Sequence, residues 1–164
     1  MAESNLILGD SSEEMQKLID QGVKVDLTVT SPPYDGLRSY EGDVVWNFDK
    51  FKDIANKLYE ITADGGVVIW VVADQTKKGS ESCSSFKQAL YFKEIGFRLH
   101  DTMIFKKRNY IPLTHNRYEQ AWEYMFCFSK GKPKTWNPIM IPCKNAGKIE
   151  SYGSGRRSEL DKNQ

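Results

Sequence analysis

Val67-Val68-Ile69-Trp70-Val71-Val72 is apolar at every position, and a strand of that kind has to be covered on both of its faces. Just before it, Phe48, Phe51, Ile54, Ala55, Leu58 and Tyr59 recur at spacings of three and four, which describes one face of a helix. Gly65-Gly66 between them is expected to stop that helix. A buried strand that follows an amphipathic helix belongs at the centre of an α/β sheet. The rest of the chain alternates in the same way. Asn5 to Leu8 is a short strand candidate. Asp10-Ser11-Ser12-Glu13-Glu14 holds two capping-box spacings and opens a helix over about 11 to 20. Val25-Asp26-Leu27-Thr28-Val29-Thr30 is a β-branched strand. Ser84 or Ser85 can cap a helix that Gly96 ends, and two further strands are expected from Phe97 to Phe105 and from Ala121 to Phe128. The expectation is a three-layer α/β fold with a mostly parallel sheet.

Composition narrows the class. The chain has 164 residues, one domain's worth, and its 40% hydrophobic and 12% aromatic content is too high for disorder. No apolar run approaches the roughly 20 residues that cross a bilayer. Cys83, Cys127 and Cys143 are far apart and odd in number, and Met1 to Asn5 lacks a secretory pattern, so a reduced, cytoplasmic protein is expected. His100 and His115 with these cysteines lack zinc-ligand spacing, so no metal site is expected. The near-zero net charge of +1 conceals an asymmetry: residues 1 to 105 carry 11 basic and 17 acidic side chains, the remainder 12 basic and 5 acidic. The second part suits a polyanion. Within it, Lys106, Lys107, Arg108, Asn116 and Arg117 can meet phosphates, and Tyr40, Tyr110 and Tyr118 can stack on an extruded base. A merely solvated loop is the plainer alternative.

The chemistry concentrates in Thr30-Ser31-Pro32-Pro33-Tyr34, at the carboxyl end of a strand, where open α/β sheets hold ligands. Two prolines fix the backbone and remove two N–H donors, so the turn offers acceptors, while Ser31 adds a hydroxyl and Tyr34 a flat ring. Such a site suits an exocyclic amine on a stacked base. A surface turn is the alternative.

With the segments around it, this turn resembles the amino-methylating DNA methyltransferases that use S-adenosylmethionine, in the permuted order that puts the catalytic motif before the cofactor glycine motif. Ser-Pro-Pro-Tyr matches their catalytic signature. Asn5 to Asp10 is similar to their opening strand and acidic cofactor contact. Asp101 to Lys107 and Arg117 to Lys130 are similar to two later strands, the second ending in Phe-Ser-Lys. The resemblance covers nearly all of residues 5 to 138. It implies a Rossmann-like S-adenosylmethionine-dependent methyltransferase fold and assigns catalysis to Ser31, Pro32, Pro33 and Tyr34. Cofactor contacts would come from Asp10, Thr30 and Ser31, although Asp10 is equally placed to cap the first helix. Double-stranded DNA with a flipped base would be the substrate, in a bacterial or phage-infected cell. Serine before Pro-Pro-Tyr is the usual form in cytosine-N4 enzymes and aspartate in most adenine-N6 enzymes, so cytosine N4 is favoured.

The family's Phe-x-Gly-x-Gly cofactor loop has no counterpart in residues 1 to 164. The chain is thus expected to be a fragment, or half of a split enzyme completed by a second chain. Residues 1 to 138 would form the catalytic part and residues 139 to 164 the basic, mobile start of a target-recognition region. An adenine-N6 enzyme and a non-catalytic nucleic-acid-binding half are the alternatives. Cys143, next to Pro142, lacks the surrounding motifs of a cytosine-C5 nucleophile and is read as an ordinary thiol. Asp10, Ser31 and the loop after Val72 are expected to converge at one sheet edge.

Overall fold

A computed structural model describes residues 3–34, 46–109 and 116–142. Tyr40, Tyr110, His115 and Cys143, with the tail from residue 143 on, lie outside the described residues. The elements in chain order are α1 (Ser11–Asp20), β1 (Val25–Thr30), α2 (Phe48–Ile61), β2 (Thr62–Val72), β3 (Thr76–Lys77), β4 (Ser80–Glu81), α3 (Ser84–Glu94), β5 (Arg98–Lys106) and β6 (Trp122–Ser129). Among the described residues no helix is long and apolar enough to cross a membrane.

The main sheet runs β1-β2-β6-β5, and β3 and β4 form a small separate hairpin. The α/β class holds, but the sheet is mixed rather than mostly parallel. Only β1 and β2 run parallel, while β6 lies between β2 and β5 and opposes both. The reason is the connection: no described helix intervenes between β5 and β6, so the chain returns beside the strand it has just left, which produces an antiparallel pair.

The three helices share one core with one face of this sheet. Val68, Trp70 and Val72 of β2 and Phe126 and Phe128 of β6 meet Phe51, Ala55 and Leu58 of α2 and Ala89 and Phe92 of α3, with Met15 of α1 against them. Phe92 is the hub, its ring centroid 4.5 Å from that of Phe128, 5.1 Å from Trp70 and 5.4 Å from Phe51. Trp70 Nε1–H donates to Gln88 Oε1 at 2.9 Å, which satisfies the one polar atom of the buried indole. Strand alternation puts Leu27, Val29, Val67, Ile69, Met125, Cys127, Met103 and Phe105 on the opposite face. No described helix covers them, and Leu27 and Val29 are 58% and 67% exposed. Two of the three expected layers are therefore present among the described residues.

Several local expectations are corrected. Asn5 to Leu8 forms no strand, and Leu6 and Leu8 are fully exposed. A strand exists only through its hydrogen-bonded neighbour, and these residues have none among the described ones. Gly65-Gly66 does not stop α2, which ends at Ile61 and passes directly into β2. The pair makes a bulge instead: Val25 faces Thr62 but Leu27 faces Val67. Gly65 adopts φ +77, a left-handed conformation that suits glycine, and a Cβ on Gly66 would come within 2.8 Å of Thr62 Cγ2. Lys130 secures this junction from the far end of the chain. Its ammonium donates to the carbonyls of Tyr59 (2.8 Å) and Thr62 (3.1 Å) and sits over the Tyr59 ring. The α3 N-terminus is capped neither by Ser84 nor by Ser85. The acceptor is the buried Asp74, which takes the Ser85 N–H at 3.0 Å, the Ser82 and Ser84 hydroxyls at 3.1 Å each, and the Ser85 hydroxyl.

Candidate functional site

β1 ends at Thr30, and the prolines that forbid its continuation turn the chain so that Pro32 is buried while Ser31 faces solvent. Beside this turn lies a cavity of about 430 Å³, within the range of small-molecule sites. Asp10, Ser11, Thr28, Thr30, Ser31 and Lys50 are its polar lining residues, and Trp46, Met15 and Ile54 are among its apolar walls.

Asp10 caps the first helix, accepting from the N–H of Ser12 at 2.8 Å and of Glu13 at 3.3 Å, and also borders the cavity. Lys50 of α2 reaches it at 3.2 Å. The hydrogen bond from Lys50, followed by that from the Ser12 N–H, holds the Asp10 carboxyl below the usual carboxylate range. A carboxylate, two threonine hydroxyls and an indole wall fit a ligand that combines hydroxyls with a flat heterocycle, as the adenosine part of S-adenosylmethionine does. No glycine-rich cradle for the methionine part occurs among the described residues.

Asp10 and Ser31 thus converge. The loop after Val72 does not join them: Ala73 and Asp74 line a separate small depression with Glu123 and Tyr124. The two places are linked by a residue that sequence reading missed. Tyr34 O–H donates to Glu123 Oε2 at 2.7 Å and stands 2.9 Å from Ser31 Oγ. Glu123 Oε1 in turn pairs with Lys107 Nζ at 2.5 Å. The signal for Glu123 was present, since it is the only charged residue in the otherwise aromatic and apolar Trp122-Glu123-Tyr124-Met125-Phe126. An acid buried within a strand needs a partner, and nothing local supplies one.

The polar loop between β5 and β6 begins and ends at the same sheet edge as Ser31. Thr30 pairs with Trp70, Val72 with Tyr124, and Lys106 with Trp122, so these ends lie side by side. Lys106, Arg108 and Asn116 are exposed there, and Tyr118 is fully exposed. Lys107 is engaged by Glu123, and the Arg117 guanidinium donates to the Gly79 carbonyl of the small hairpin.

The proline turn and a carboxylate border one cavity at the carboxyl end of a strand, the position at which open α/β sheets bind ligands. Comparison with known proteins makes this specific. The sequence pattern of the N6/N4 DNA methylase family matches residues 25–163, and the chain belongs to that family of amino-methylating, S-adenosylmethionine-using DNA methyltransferases. The orphan methyltransferase M.BamHII of Bacillus amyloliquefaciens is 61% identical over 141 residues, covering 84% of this chain and 51% of the relative. The type II methyltransferase M.SfiI of Streptomyces fimbriatus is 25% identical over 173 residues, covering 88% of this chain and 41% of the relative. The chain therefore spans about half the length of the curated relatives it matches. The cytosine-N4-specific PvuII DNA methyltransferase shares its fold at a TM-score of 0.62 and 22% identity, over 77% of this chain and 49% of that one. The M1.HpyAVI–SAM complex does so at 0.56 and 22%, over 77% and 54%.

Proposed function

We propose that this chain is the catalytic part of a DNA methyltransferase that moves a methyl group from S-adenosylmethionine to an exocyclic base amine, cytosine N4 in preference to adenine N6. The observation that carries the reading is that the Ser31-Pro32-Pro33 turn and Asp10 border one cavity. When bound, the cofactor supplies an electrophilic methyl on a sulfonium. Asp10, Thr30 and Ser31 hold its adenosine side. Ser31 Oγ and the Pro32 carbonyl accept the two N–H bonds of the target amine, so that its lone pair faces the methyl, while Tyr34 stacks on the base. Pro33 keeps the turn rigid. The exposed Lys106, Arg108 and Asn116 meet phosphates, with Tyr118 beside them; Lys107 and Arg117 flank this strip with their charges already engaged.

The cofactor's methionine end and the uncovered sheet face call for the remaining half of the enzyme, supplied by further sequence or by a second chain. The isolated 164 residues are then inactive or nearly so, because a sulfonium held at one end only seldom reaches the in-line geometry, about 3 Å from the amine nitrogen. The test uses tritiated S-adenosylmethionine, unmodified phage DNA, and this chain with and without the portion of M.BamHII that it does not match. Label should enter DNA only with both polypeptides, as N4-methylcytosine on nucleoside analysis. N6-methyladenine would transfer the reading to adenine, and label in DNA with this chain alone would refute the incompleteness.

A further inference from the structure

We infer that Glu123 is a positioning residue that sets the direction of the hydrogen bonds at the catalytic turn, so that Ser31 presents only an acceptor to the target amine. The inference rests on the amine-methylating reading above and deepens it.

The argument is a count of hydrogens. A tyrosine has one O–H and a serine one, whereas a carboxylate has none and can only accept. Tyr34 O–H lies 2.7 Å from Glu123 Oε2 and spends its single hydrogen there. The contact of 2.9 Å between Ser31 Oγ and Tyr34 Oη therefore has one possible polarity: the Ser31 hydroxyl donates and the tyrosine oxygen accepts. With its hydrogen turned away, Ser31 Oγ has only lone pairs left for a ligand. That is the requirement for gripping an N–H, and it prevents the serine from donating to the amine nitrogen, whose lone pair must stay free to attack. Lys107 holds the other carboxylate oxygen at 2.5 Å, so both oxygens of this nearly buried group have donors.

Glutamine at this position has nearly the same shape but carries an NH2 group. It can donate to Tyr34, release the tyrosine hydrogen toward Ser31, and so let Ser31 donate to the amine. Glu123→Gln should therefore impair the chemical step and not the binding of the cofactor. Tyr34→Phe removes the transmitting oxygen, so Glu123→Gln should add nothing in that background.

Two measurements test this. In the isolated chain with tyrosines carrying a carbon-13 label at the ring carbon that bears the hydroxyl, the Tyr34 resonance is assigned by its loss in Tyr34→Phe. It should move in Glu123→Gln and return toward the wild-type position in Glu123→Asp; a resonance unmoved in Glu123→Gln overturns the inference. In the methylation assay with the M.BamHII portion, Glu123→Gln should lower kcat roughly ten- to a hundredfold, the worth of a hydrogen bond to a charged group, with KM for S-adenosylmethionine unchanged. An equal loss in the wild-type and Tyr34→Phe backgrounds would show a structural role only and would also overturn it. If the wild-type pair leaves DNA unlabelled, the methyl-transfer reading fails, and the tyrosine resonance alone decides the polarity.

Discussion

The two faces of the main sheet are built from the same strands yet differ in how far they are finished. On one, Trp70, Phe92 and Phe128 interlock with α2 and α3 and are almost wholly inaccessible. On the other, Leu27, Val29, Met103 and Phe105 are open to solvent, and the outer edge of β1 has no strand beside it among the described residues. Apolar content is therefore not what separates them. The covered face has its partners within the described residues, chiefly α2 and α3 lying against β2 and β6, so it can assemble by itself. The open face is as apolar but has no such partners among the described residues, and an exposed apolar surface of this kind marks a place of contact.

This difference can be attacked directly. Phe92→Ala empties the centre of the covered face and should cost about 3–5 kcal/mol in denaturant unfolding, enough to unfold a marginal domain. A loss below about 1 kcal/mol would mean the aromatic cluster is not what holds the chain together. The opposite outcome is expected on the open face. Leu27→Lys with Val29→Lys should leave the stability of the isolated chain within about 0.5 kcal/mol of wild type, yet abolish the methylation restored by the M.BamHII portion. A large stability loss instead would place these residues in the chain's own core.

The site lies between the two faces. On the proposed reading, in which the Ser31 hydroxyl serves the amine and the backbone of Ser31, which alanine keeps, serves the cofactor, Ser31→Ala should lower turnover of the completed enzyme roughly tenfold while cofactor affinity, read by calorimetry, stays the same. Tyr34→Ala should weaken base binding as well. Unchanged methylation by Ser31→Ala would remove the residue from the mechanism.

Smaller effects probe the rim. Asp10 and Asp53 are both held below their ordinary carboxylate range, Asp10 chiefly by Lys50 and Asp53 chiefly by the Ser12 hydroxyl. Their support of α1 is thus present above the unfolded value near pH 4 and is lost as pH falls through the folded values. Amide protection in α1, the exchange rate relative to that of an unfolded chain at the same pH, should fall on acidification below about pH 4, and less so in Asp10→Asn. The last effect concerns thiols. Cys127 is buried, and burial pushes its pKa up, whereas Cys83 is exposed. In a Cys143→Ser background at neutral pH, a disulfide reagent should label Cys83 quickly and Cys127 slowly. Equal rates would mean the open face breathes freely.

Most of the architecture was legible in the sequence because its signals are local. The span of α1 follows from a capping box and a three-four repeat, that of β1 from a β-branched run closed by two prolines, and β2 from an unbroken apolar hexamer. What was misread depends on distant partners. Asn5 to Leu8 has a strand's composition but no neighbour to pair with, and Gly65-Gly66 has a terminator's composition but serves a register shift set by β1. The site divides in the same way. The Ser31 turn and Asp10 are visible as short motifs, whereas Glu123 bonds Tyr34 across 89 positions, a separation that no local pattern encodes.

Lys130 carries a consequence for how the protein comes into being. The carbonyls it satisfies, at Tyr59 and Thr62, precede it by 71 and 68 positions. Made at about 5–20 residues per second, a nascent chain would expose the end of α2 roughly 4–14 s before this lysine is added. During that interval the carbonyls of Tyr59 and Thr62 lack this ammonium and are left to water. Closure of this junction is therefore timed by the arrival of β6 and the lysine that follows it, and a pause in translation just before residue 130 would lengthen the period in which the half-built sheet is open to wrong neighbours.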